Sequence, residues 1–362
     1  MAKATKSVKK DVVEDELLFD AEIVEGDTTL DNAFTERFAT YATTTVASRA
    51  IPQIEDGLLP VMRRSLVVMN EENVPWPKFK KAAAFVGNTL GSLHAHGDSS
   101  VYNSMIGLSR DFSKLNTLID GQGNLGNAGG DGAAAMRYTE LRLSKFAKAV
   151  YFQDLNESIV PHVPNFDSSR KEPVYLPSAF PMFLVNSTEG IASGFSGNMP
   201  THNLNDILAC FKKFIKNPDI DTVTLTKDLR PDFPLGGNIV NEAELPNIYE
   251  SGQGIIKVKA TIDIETSGGK EVVVIKDLPP GVTLKTIREK IADDMKSNNS
   301  KFLDKISDMY DESSIKVPVR FVIVPKRGTD PSLLINLLYS NTLLLKSVSY
   351  ISNILYKSNL VE

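Results

Sequence analysis

The sequence predicts an α+β fold in two domains, a helical first half and a mixed second half. In the first 150 residues, apolar side chains recur at helical spacing. Residues 254–265 instead alternate strictly between apolar and polar side chains, which is the pattern of a half-buried strand. A chain of 362 residues can hold two such domains, each with its own core. We place the boundary near residue 165, where a proline-rich connector begins: Pro161, Pro164, Pro173, Pro177 and Pro181.

The composition is that of an ordinary globular protein and excludes several classes of site. Hydrophobic residues make up 42% of the chain and charged residues 23%, and no apolar run is long enough to span a membrane. The single cysteine, Cys210, excludes an internal disulfide and most cysteine-based metal sites. The net charge of −5 would by itself disfavour nucleic-acid binding. A local basic face still remains compatible with DNA, because one region is rich in cations: Arg63, Arg64, Lys78, Lys80, Lys81, Arg137, Arg142, Lys145 and Lys148.

The first domain begins with a tail and a long helix. Residues 1–28 are polar, with a lysine cluster followed by acidic residues, and are predicted to be a tail. Residues 28–50 are predicted to form a helix that ends at Ile51 and Pro52. Its apolar side chains recur at helical spacing: Leu30, Phe34, Phe38 and Tyr41.

Three further helices are predicted, and a short turn joins the second of them to the third. Pro60 begins the first of them after a turn at residues 56–57, and residues 82–93 form the second. Asp98 or Ser99 is expected to cap the third, which buries Val101, Met105 and Leu108 on one face. Two helices joined by a short turn are typical of a helix-turn-helix, whose second helix lies in a DNA groove.

The most unusual stretch is DGQGNLGNAGGDGAAAMRYTELRL, residues 120–143, which holds six glycines between Gly121 and Gly132. Glycine reaches backbone angles closed to other residues and lets other groups approach closely. The loop therefore delivers one guanidinium, Arg137, and one phenol, Tyr138, with little surrounding bulk. A helix is predicted to follow over residues 139–155, with Leu143, Ala147 and Val150 on one face.

Two other interpretations of this stretch stay open at this point. The spacing Gly121-x-Gly123-x-x-Gly126 matches a dinucleotide-binding fingerprint, which should open a helix and place an acidic residue about 20 positions later. Here more loop follows, and the acidic residue at that distance is Glu140, inside the predicted helix. Alternatively the stretch is a plain surface loop with Tyr138 as a half-buried aromatic residue.

The second domain is predicted to mix helix and strand. Residues 204–215 form a helix, and residues 254–265 form a strand that turns at 267–270 into a second strand at 271–275. Residues 316–324 form a further strand.

Several segments, in order along residues 30–350, resemble the breakage-reunion (A) subunits of type IIA DNA topoisomerases. That family includes the A subunits of DNA gyrase and topoisomerase IV and the medium subunit of phage topoisomerases. The matching segments are AIPQIEDGLLPVMRR (50–64), HAHGDSSVY (94–102), DGQGN with AAAMRYTELRL (120–143), LVN (184–186), GIASG (190–194), PTHN (200–203) and LYSNT (338–342).

The resemblance implies a winged-helix (helix-turn-helix) DNA-gate domain followed by an α/β tower domain. The winged-helix domain would span residues 29–165 and the tower residues 166–350. Residues 351–362 would begin a coiled coil whose remainder, with the exit gate, is absent from the sequence. Either a truncated chain or a naturally short, phage-like one fits this expectation.

The resemblance also implies the chemistry. Tyr138 would attack a DNA phosphodiester and form a transient 5′-phosphotyrosine in a double-strand break, with Arg137 stabilising the charge on the phosphate. Magnesium would be held mainly by the Toprim domain of a B-type partner subunit that also binds ATP, and no metal site is expected in this chain, since Asp219 and Asp221 follow Asn-Pro and are expected in a loop. The working unit would hold two copies of this chain, two of the partner and duplex DNA, in the cytoplasm of a bacterium or an infected host cell.

The resemblance assigns further residues to DNA and drug contacts. The implied DNA contacts are Arg63, Arg64, Lys81, His94, His96, Ser99 and Ile191. Ile191 would wedge between base pairs, although the residue type alone fits a buried core position equally well. Ser99 and Asn103 stand at the quinolone positions, and Asn103 lacks the carboxylate of bacterial relatives. Two other functions are weighed: a catalytically silent DNA-bending protein on this fold, and a nucleotide-dependent oxidoreductase built on the glycine loop.

Overall fold

A computed structural model describes residues 49–186, 188–192, 194–297 and 300–356, the backbone of 359–361, and seven residues between Asn32 and Tyr41. The chain divides into two compact units, Met1–Tyr41 and Ala42–Glu362. Within the described part, no helix is both long and apolar enough to cross a membrane.

The described residues of the first unit are helical, which confirms the first predicted helix between positions 32 and 41. The rings of Phe34 and Phe38 stack with centroids 5.8 Å apart. Leu30, the predicted tail and positions 42–48 lie outside the described residues.

The larger unit alternates helices and short strands. Its helices are α1 (Pro60–Glu72), α2 (Ala82–Ser92), α3 (Asp98–Ser109), α4 (Lys145–Tyr151), α5 (Met182–Val185), α6 (Leu204–Lys216), α7 (Thr222–Thr226), α8 (Leu245–Ser251), α9 (Leu284–Lys296) and α10 (Pro331–Asn341). Its strands are β1 (Lys80–Lys81), β2 (Ile119–Gln122), β3 (Glu140–Leu143), β4 (His162–Pro164), β5 (Lys171–Pro173), β6 (Thr188–Ala192), β7 (Phe195–Met199), β8 (Asn238–Ile239), β9 (Gln253–Lys259), β10 (Ile262–Ser267), β11 (Lys270–Ile275), β12 (Ile306–Asp311), β13 (Phe321–Pro325), β14 (Leu345–Ile351), β15 (Ile354–Tyr356) and β16 (Asn359–Val361).

The strands form small sheets rather than one large one. The orders are β1-β3-β2, β10-β11-β13-β12 and β6-β7-β14-β9-β8, with β4-β5 and β15-β16 as two-stranded pairs. Neighbouring strands in these sheets are antiparallel. This combination of helices and antiparallel sheets confirms the α+β class.

The largest core lies among α1, α2, α3 and the sheet β1-β3-β2, with Leu66, Phe85 and Met105 at its centre. Residues from beyond position 165 also pack in it: Leu176, Met182, Val185, Ile207 and Leu229. A second core lies between α9, α10 and the sheet β10-β11-β13-β12. The limits of the two predicted domains stay a prediction, since the chain after residue 165 contributes to both cores.

A buried ion pair ties the start of α1 to the turn before it. Arg63 donates to the Asp56 carboxylate from Nε at 2.5 Å and from Nη2 at 3.0 Å, and Nη2 also donates to Leu58 O. Asp56 further accepts the backbone N–H groups of Leu58 and Leu176, both at 2.9 Å. The buried Tyr151 hydroxyl donates to Asp56 O at 2.8 Å. One residue thus joins three parts of the chain: the Asp56 carboxylate binds α1 and the segment after β5, and its backbone carbonyl binds α4.

The helix predicted over residues 139–155 is wrong in its first part. Glu140–Leu143 is β3, which is hydrogen-bonded to a strand on each side, and α4 begins only at Lys145. Ser144 caps α4 by accepting the Ala147 N–H at 3.0 Å. Strand pairing on both sides outweighs the helical spacing, which a short strand followed by a helix also satisfies.

The strand predicted over residues 254–265 is two strands. β9 ends at Lys259 and β10 begins at Ile262, and the two belong to different sheets. The Ala260 N–H still donates to Leu344 O at 2.7 Å, in register with the β9–β14 pairing, so the chain passes to the other sheet only after Ala260. The predicted hairpin to the next strand is confirmed by the pairing of β10 with β11.

Two further details of the secondary structure differ from the prediction, the bounds of one strand and the cap of one helix. The strand expected over residues 316–324 covers Phe321–Pro325, because residues 312–320 form a hydrogen-bonded hairpin loop. α3 begins at Asp98 with no capping side chain, and the Asp98 carboxylate accepts the N–H and the hydroxyl of the neighbouring Ser99, at 2.7 Å and 3.2 Å.

Removing one member of the Asp56–Arg63 pair should destabilise the protein more than removing both. Asp56→Asn leaves the Arg63 charge buried without its counterion, which typically costs about 3–5 kcal/mol. The double variant Asp56→Asn/Arg63→Met removes both charges and should recover part of that loss. Urea unfolding followed by circular dichroism measures the free energy of unfolding.

The control for this experiment is Glu71→Gln, which breaks the surface pair between Glu71 and Arg170. Such exposed pairs contribute about 0–1 kcal/mol. A loss for Asp56→Asn no larger than that for the control would show that the buried pair does not organise α1.

Candidate active site

The loop between β2 and β3, residues 123–139, is closed by its own backbone. The Ala134 N–H donates to Asn124 O at 2.9 Å. A tight turn follows, in which the Tyr138 N–H donates to Ala135 O at 2.9 Å. The loop therefore presents the tyrosine on a hydrogen-bonded turn.

Glycine is required at several points of this loop. Gly123, Gly126 and Gly130 have φ angles of +104°, +93° and +110°, a region that other residues rarely adopt. A Cβ on Gly126 would also lie 2.8 Å from Arg110 Nη2 and 2.8 Å from Asp131 O. The glycine content thus reflects backbone conformation and close packing, as the sequence suggested.

The amino terminus of α2 holds the far end of the loop. The Ala82 N–H donates to Thr139 O at 3.0 Å, and the Ala83 N–H donates to Met136 O at 3.2 Å. The first N–H groups of a helix have no partners within the helix, so these loop carbonyls satisfy them. The positive end of the helix dipole adds to the attraction.

Tyr102 of α3 braces the same segment from the other side. Its hydroxyl donates to Ala134 O at 2.5 Å and lies 2.8 Å from Thr139 Oγ1. Thr139 is completely buried. The residue after the tyrosine is therefore fixed in the core, while the tyrosine itself is not.

Tyr138 is 62% exposed, and its phenol lies at the surface of the loop. The Arg137 guanidinium carbon lies 4.5 Å from the centroid of the Tyr138 ring, a cation–π arrangement. Across the described residues, neither side chain is hydrogen-bonded or ion-paired to another side chain. A nucleophile and a cation are thus both available to a phosphodiester approaching the loop.

A second polar cluster surrounds Arg64. Its guanidinium donates to both carboxylate oxygens of Glu172 at 2.7 Å and, from Nη1, to His94 Nδ1 at 3.0 Å. The His96 ring lies 4.6 Å from that of His94. Burial, together with the charges of Arg64, His96 and Arg49, lowers the pKa of His94 to about 4. His94 is therefore neutral near pH 7, and its Nδ1 accepts the hydrogen bond from Arg64.

The predicted DNA contacts separate into buried and exposed side chains. The Arg63 guanidinium is buried against Asp56, which disfavours the predicted contact with phosphate. Arg64 and His94 are largely occupied with each other, and Lys81 pairs with Glu140 at 2.8 Å at the surface. The other predicted DNA-contact and quinolone-site residues in this region are exposed: His96, Ser99 and Asn103.

Ile191 lies on the hairpin of β6 and β7, opposite Ser196, and its side chain is 76% exposed. This exposure excludes the alternative of a buried core residue. At the preceding position a Cβ on Gly190 would lie 1.7 Å from Ala50 O. The hairpin is thus packed tightly at its base and presents one large aliphatic side chain to solvent.

The described residues contain no group of three or more His, Cys, Asp or Glu side chains that could hold a metal ion. Asp221 is instead the N-cap of α7, where it accepts the Thr224 N–H at 2.8 Å, and Asp219 lies in the preceding turn. The glycine loop runs from one strand, β2, to another, β3. The strand–loop–helix order that a dinucleotide fingerprint needs is therefore missing here.

Two residues of this region were not predicted from the sequence. The charge of Arg49 helps to lower the pKa of His94. Arg49 directly precedes the matched segment 50–64, and this position is the one signal in the sequence that indicates it. Tyr102 braces the loop through its hydroxyl, and no sequence pattern indicated that contact.

The stability of the protein should fall as the pH decreases from about 6.5 to about 4. An unfolded histidine binds a proton near pH 6.5, whereas folded His94 and the buried His202 have pKa values of about 4. The unfolded state therefore gains protons first. His94→Gln should remove about one proton, or about 1.4 kcal/mol per pH unit, from the slope of unfolding free energy between pH 5 and 6.

Urea unfolding at a series of pH values measures this slope. His202→Gln is the matched control, because it should lower the slope of unfolding free energy by a similar amount while leaving Arg64 and its neighbours in place. An unchanged slope in His94→Gln would contradict a neutral His94 in the folded protein.

Comparison with known proteins places the chain in a family. The family of A subunits of DNA gyrase/topoisomerase IV matches residues 49–361. The DNA gyrase A protein of Brachyspira hyodysenteriae is 40% identical over 316 residues, which cover 86% of this chain and 37% of that protein. The corresponding gyrase A proteins of Staphylococcus epidermidis and Staphylococcus aureus are each 39% identical over 310 residues, or 85% of this chain and 34% of theirs. The chain thus spans little more than a third of the length of these curated relatives. It belongs to the family of DNA gyrase and topoisomerase IV A subunits.

Proposed function

We propose that this chain is the DNA-cleaving and religating part of a type IIA topoisomerase. The observation that carries the proposal is the exposed Tyr138, stacked on Arg137, near the end of a loop whose backbone is fastened to its surroundings. The family membership supports it, since the relatives are named as A subunits of DNA gyrase.

In the proposed reaction the Tyr138 hydroxyl oxygen attacks a DNA phosphorus. An O–P bond forms, the bond to the 3′ oxygen breaks, and that oxygen takes up a proton from solvent and leaves as a 3′ hydroxyl. The phenol proton passes to solvent, and the 5′ phosphate remains on the tyrosine. Religation is the reverse reaction and consumes no cofactor, because the covalent intermediate keeps the bond energy.

Arg137 stabilises the charge that grows on the phosphate oxygens. It lies beside the nucleophile, and no carboxylate among the described residues neutralises it. Loss of one such contact typically costs about 2.7–4 kcal/mol, or about a hundredfold to a thousandfold in rate.

The fold elements take the following roles in the proposal. Residues 29–165 form the winged-helix domain, in which α2 and α3 are the helix-turn-helix and the sheet β1-β3-β2 is the wing. Residues 166–350 form the tower. Lys81, His96 and Ser99 contact DNA on the first part, and Ile191 inserts between base pairs on the second.

The working enzyme combines two copies of this chain with a B-type partner. Two tyrosines are needed for a double-strand break, one for each strand. The partner supplies ATP hydrolysis and a Toprim site for magnesium, since the described residues of this chain do not provide a ligand set for that ion. With Asn103 beside Ser99, quinolone binding is weaker than in bacterial relatives with a carboxylate at that position.

Tyr138→Phe should abolish the covalent adduct and leave DNA binding almost unchanged, because only the nucleophilic oxygen is lost. The measurement uses end-labelled duplex DNA, magnesium and a gyrase-type B subunit, with the adduct trapped by detergent and resolved on a denaturing gel. DNA affinity is measured by fluorescence anisotropy.

Tyr102→Phe is a matched control in the same assay, because it also removes one phenol oxygen, but from the bracing hydroxyl. It should lower cleavage without abolishing it. An adduct that persists in Tyr138→Phe would assign the nucleophile to another residue. Binding without any adduct in the wild type would favour the catalytically silent DNA-bending function.

Ile191→Ala should weaken DNA bending, because an exposed apolar wedge is lost. Energy transfer between dyes at the two DNA ends reports the bend, and cleavage is expected to fall with it. Ile255→Ala is the control, since Ile255 is also an exposed isoleucine on a strand. Equal bending by the two variants would refute insertion by Ile191.

A further inference from the structure

Helix α9 begins against the glycine loop. The Leu284 N–H donates to Ala128 O at 3.3 Å, and the Lys285 N–H donates to Gly129 O at 2.9 Å. The next N–H group of the helix is capped by the Thr283 side chain. The loop carbonyls thus take two N–H groups that have no partner within the helix, at the positive end of its dipole.

This contact is also closely packed. Ala128 is 6% exposed and belongs to the second core, with Val282, Leu284 and Phe302. A Cβ on Gly130 would lie 2.9 Å from Lys285 Cβ. Hydrogen bonds and packing therefore fix the same three loop residues, 128–130, to the start of α9.

A hydrogen-bonded turn lies between the contact with α9 and the tyrosine. Asn127 Oδ1 accepts the N–H groups of Gly130 and Asp131, at 3.1 Å and 3.0 Å. Asn127 Nδ2 donates to the Asp131 carboxylate at 2.8 Å. The turn at 127–131 is thus internally braced, and the chain runs directly from it through the alanines to Tyr138.

We propose that α9 is a positioning element for Tyr138, acting through the hydrogen bond from the Lys285 N–H to Gly129 O and the burial of Ala128. The proposal rests on the proposed function, since it assigns a role in that chemistry. The loop is fastened near its end to α2 and near its middle to α9. Release from α9 removes the outside anchor of residues 128–130, and a displacement of about 1 Å at a reacting group can cost about a hundredfold in rate.

Lys285→Pro tests the contact, because proline has no N–H to donate. Proline is tolerated in the first turn of a helix, and Pro246 already occupies the second position of α8 in this chain, as Lys285 does in α9. Lys285→Ala is the matched control: it removes the same side chain and keeps the N–H.

Two readouts separate positioning from a general loss of structure. Hydrogen exchange of the Ala134 and Tyr138 amides should become about tenfold faster in Lys285→Pro and stay unchanged in Lys285→Ala, in line with the loss of one hydrogen bond. At saturating DNA, with magnesium and the B-type partner, adduct formation should slow at least about tenfold in Lys285→Pro only. The dissociation constant for DNA should remain within about twofold of the wild-type value, because no predicted DNA contact is altered.

A second variant covers the case in which Lys285→Pro does not fold. Ala128→Leu overfills the buried position and should push the loop away from α9, with the same faster exchange and slower adduct formation. Thermal unfolding identifies which variants are folded.

The outcomes distinguish this proposal from the one on which it rests. Equal adduct rates in folded Lys285→Pro and Lys285→Ala, or equal exchange in both, would overturn the role of α9 while wild-type cleavage still stands. Absence of an adduct in the wild type would overturn the proposed function, and the positioning role with it.

Discussion

The first N–H groups of two helices need acceptors, and the tyrosine loop supplies them to both. α2 takes the carbonyls of Met136 and Thr139, and α9 takes those of Ala128 and Gly129. A loop can serve two helix ends only if its carbonyls approach them closely, which requires small residues. The glycine and alanine content of the loop is therefore explained by what the two helices need.

The same loop combines a fixed backbone with one exposed side chain, that of Tyr138. Thr139 is fully buried and Ala128 is nearly so, whereas Tyr138 between them in the chain is mostly exposed. Fixing the residues on either side limits where the exposed phenol can go. An exposed nucleophile on a fixed backbone is what an attack on a large, rigid substrate such as duplex DNA requires.

The sequence predicted several of the helices but not the roles of neighbouring residues. α1, α2, α3 and α6 follow from their spacing, and the β10–β11 hairpin follows from its alternation and its turn. The pair Arg63 and Arg64 looked equivalent, yet one is buried against Asp56 and the other faces Glu172 and His94. Successive positions on a helix point about 100° apart, and which of them faces the interior depends on tertiary packing.

The contacts that fix the candidate site could not be predicted for a related reason. β3 was hidden because strand pairing depends on partners elsewhere in the chain, and the contact between α9 and the loop joins segments that are distant in sequence. The exposure of Ile191 likewise depends on the packing of its hairpin against Ala50. By contrast, the prediction of a special backbone at residues 121–132 needed only glycine's own conformational range.

The cations around the site bear on how an acidic chain can hold DNA. Lys81 is paired with Glu140 at the surface, and the largely buried Arg142 is paired with Asp120, both beside the loop. A surface pair such as Lys81–Glu140 contributes about 0–1 kcal/mol, so a phosphate can displace its carboxylate at little cost. The carboxylates that screen the basic face in the free protein then repel the same phosphates once displaced. Under the proposed function, DNA affinity at this face therefore depends on groups without carboxylate partners in the described structure, chief among them Arg137, and on the proposed insertion of Ile191, an apolar contact that salt does not screen.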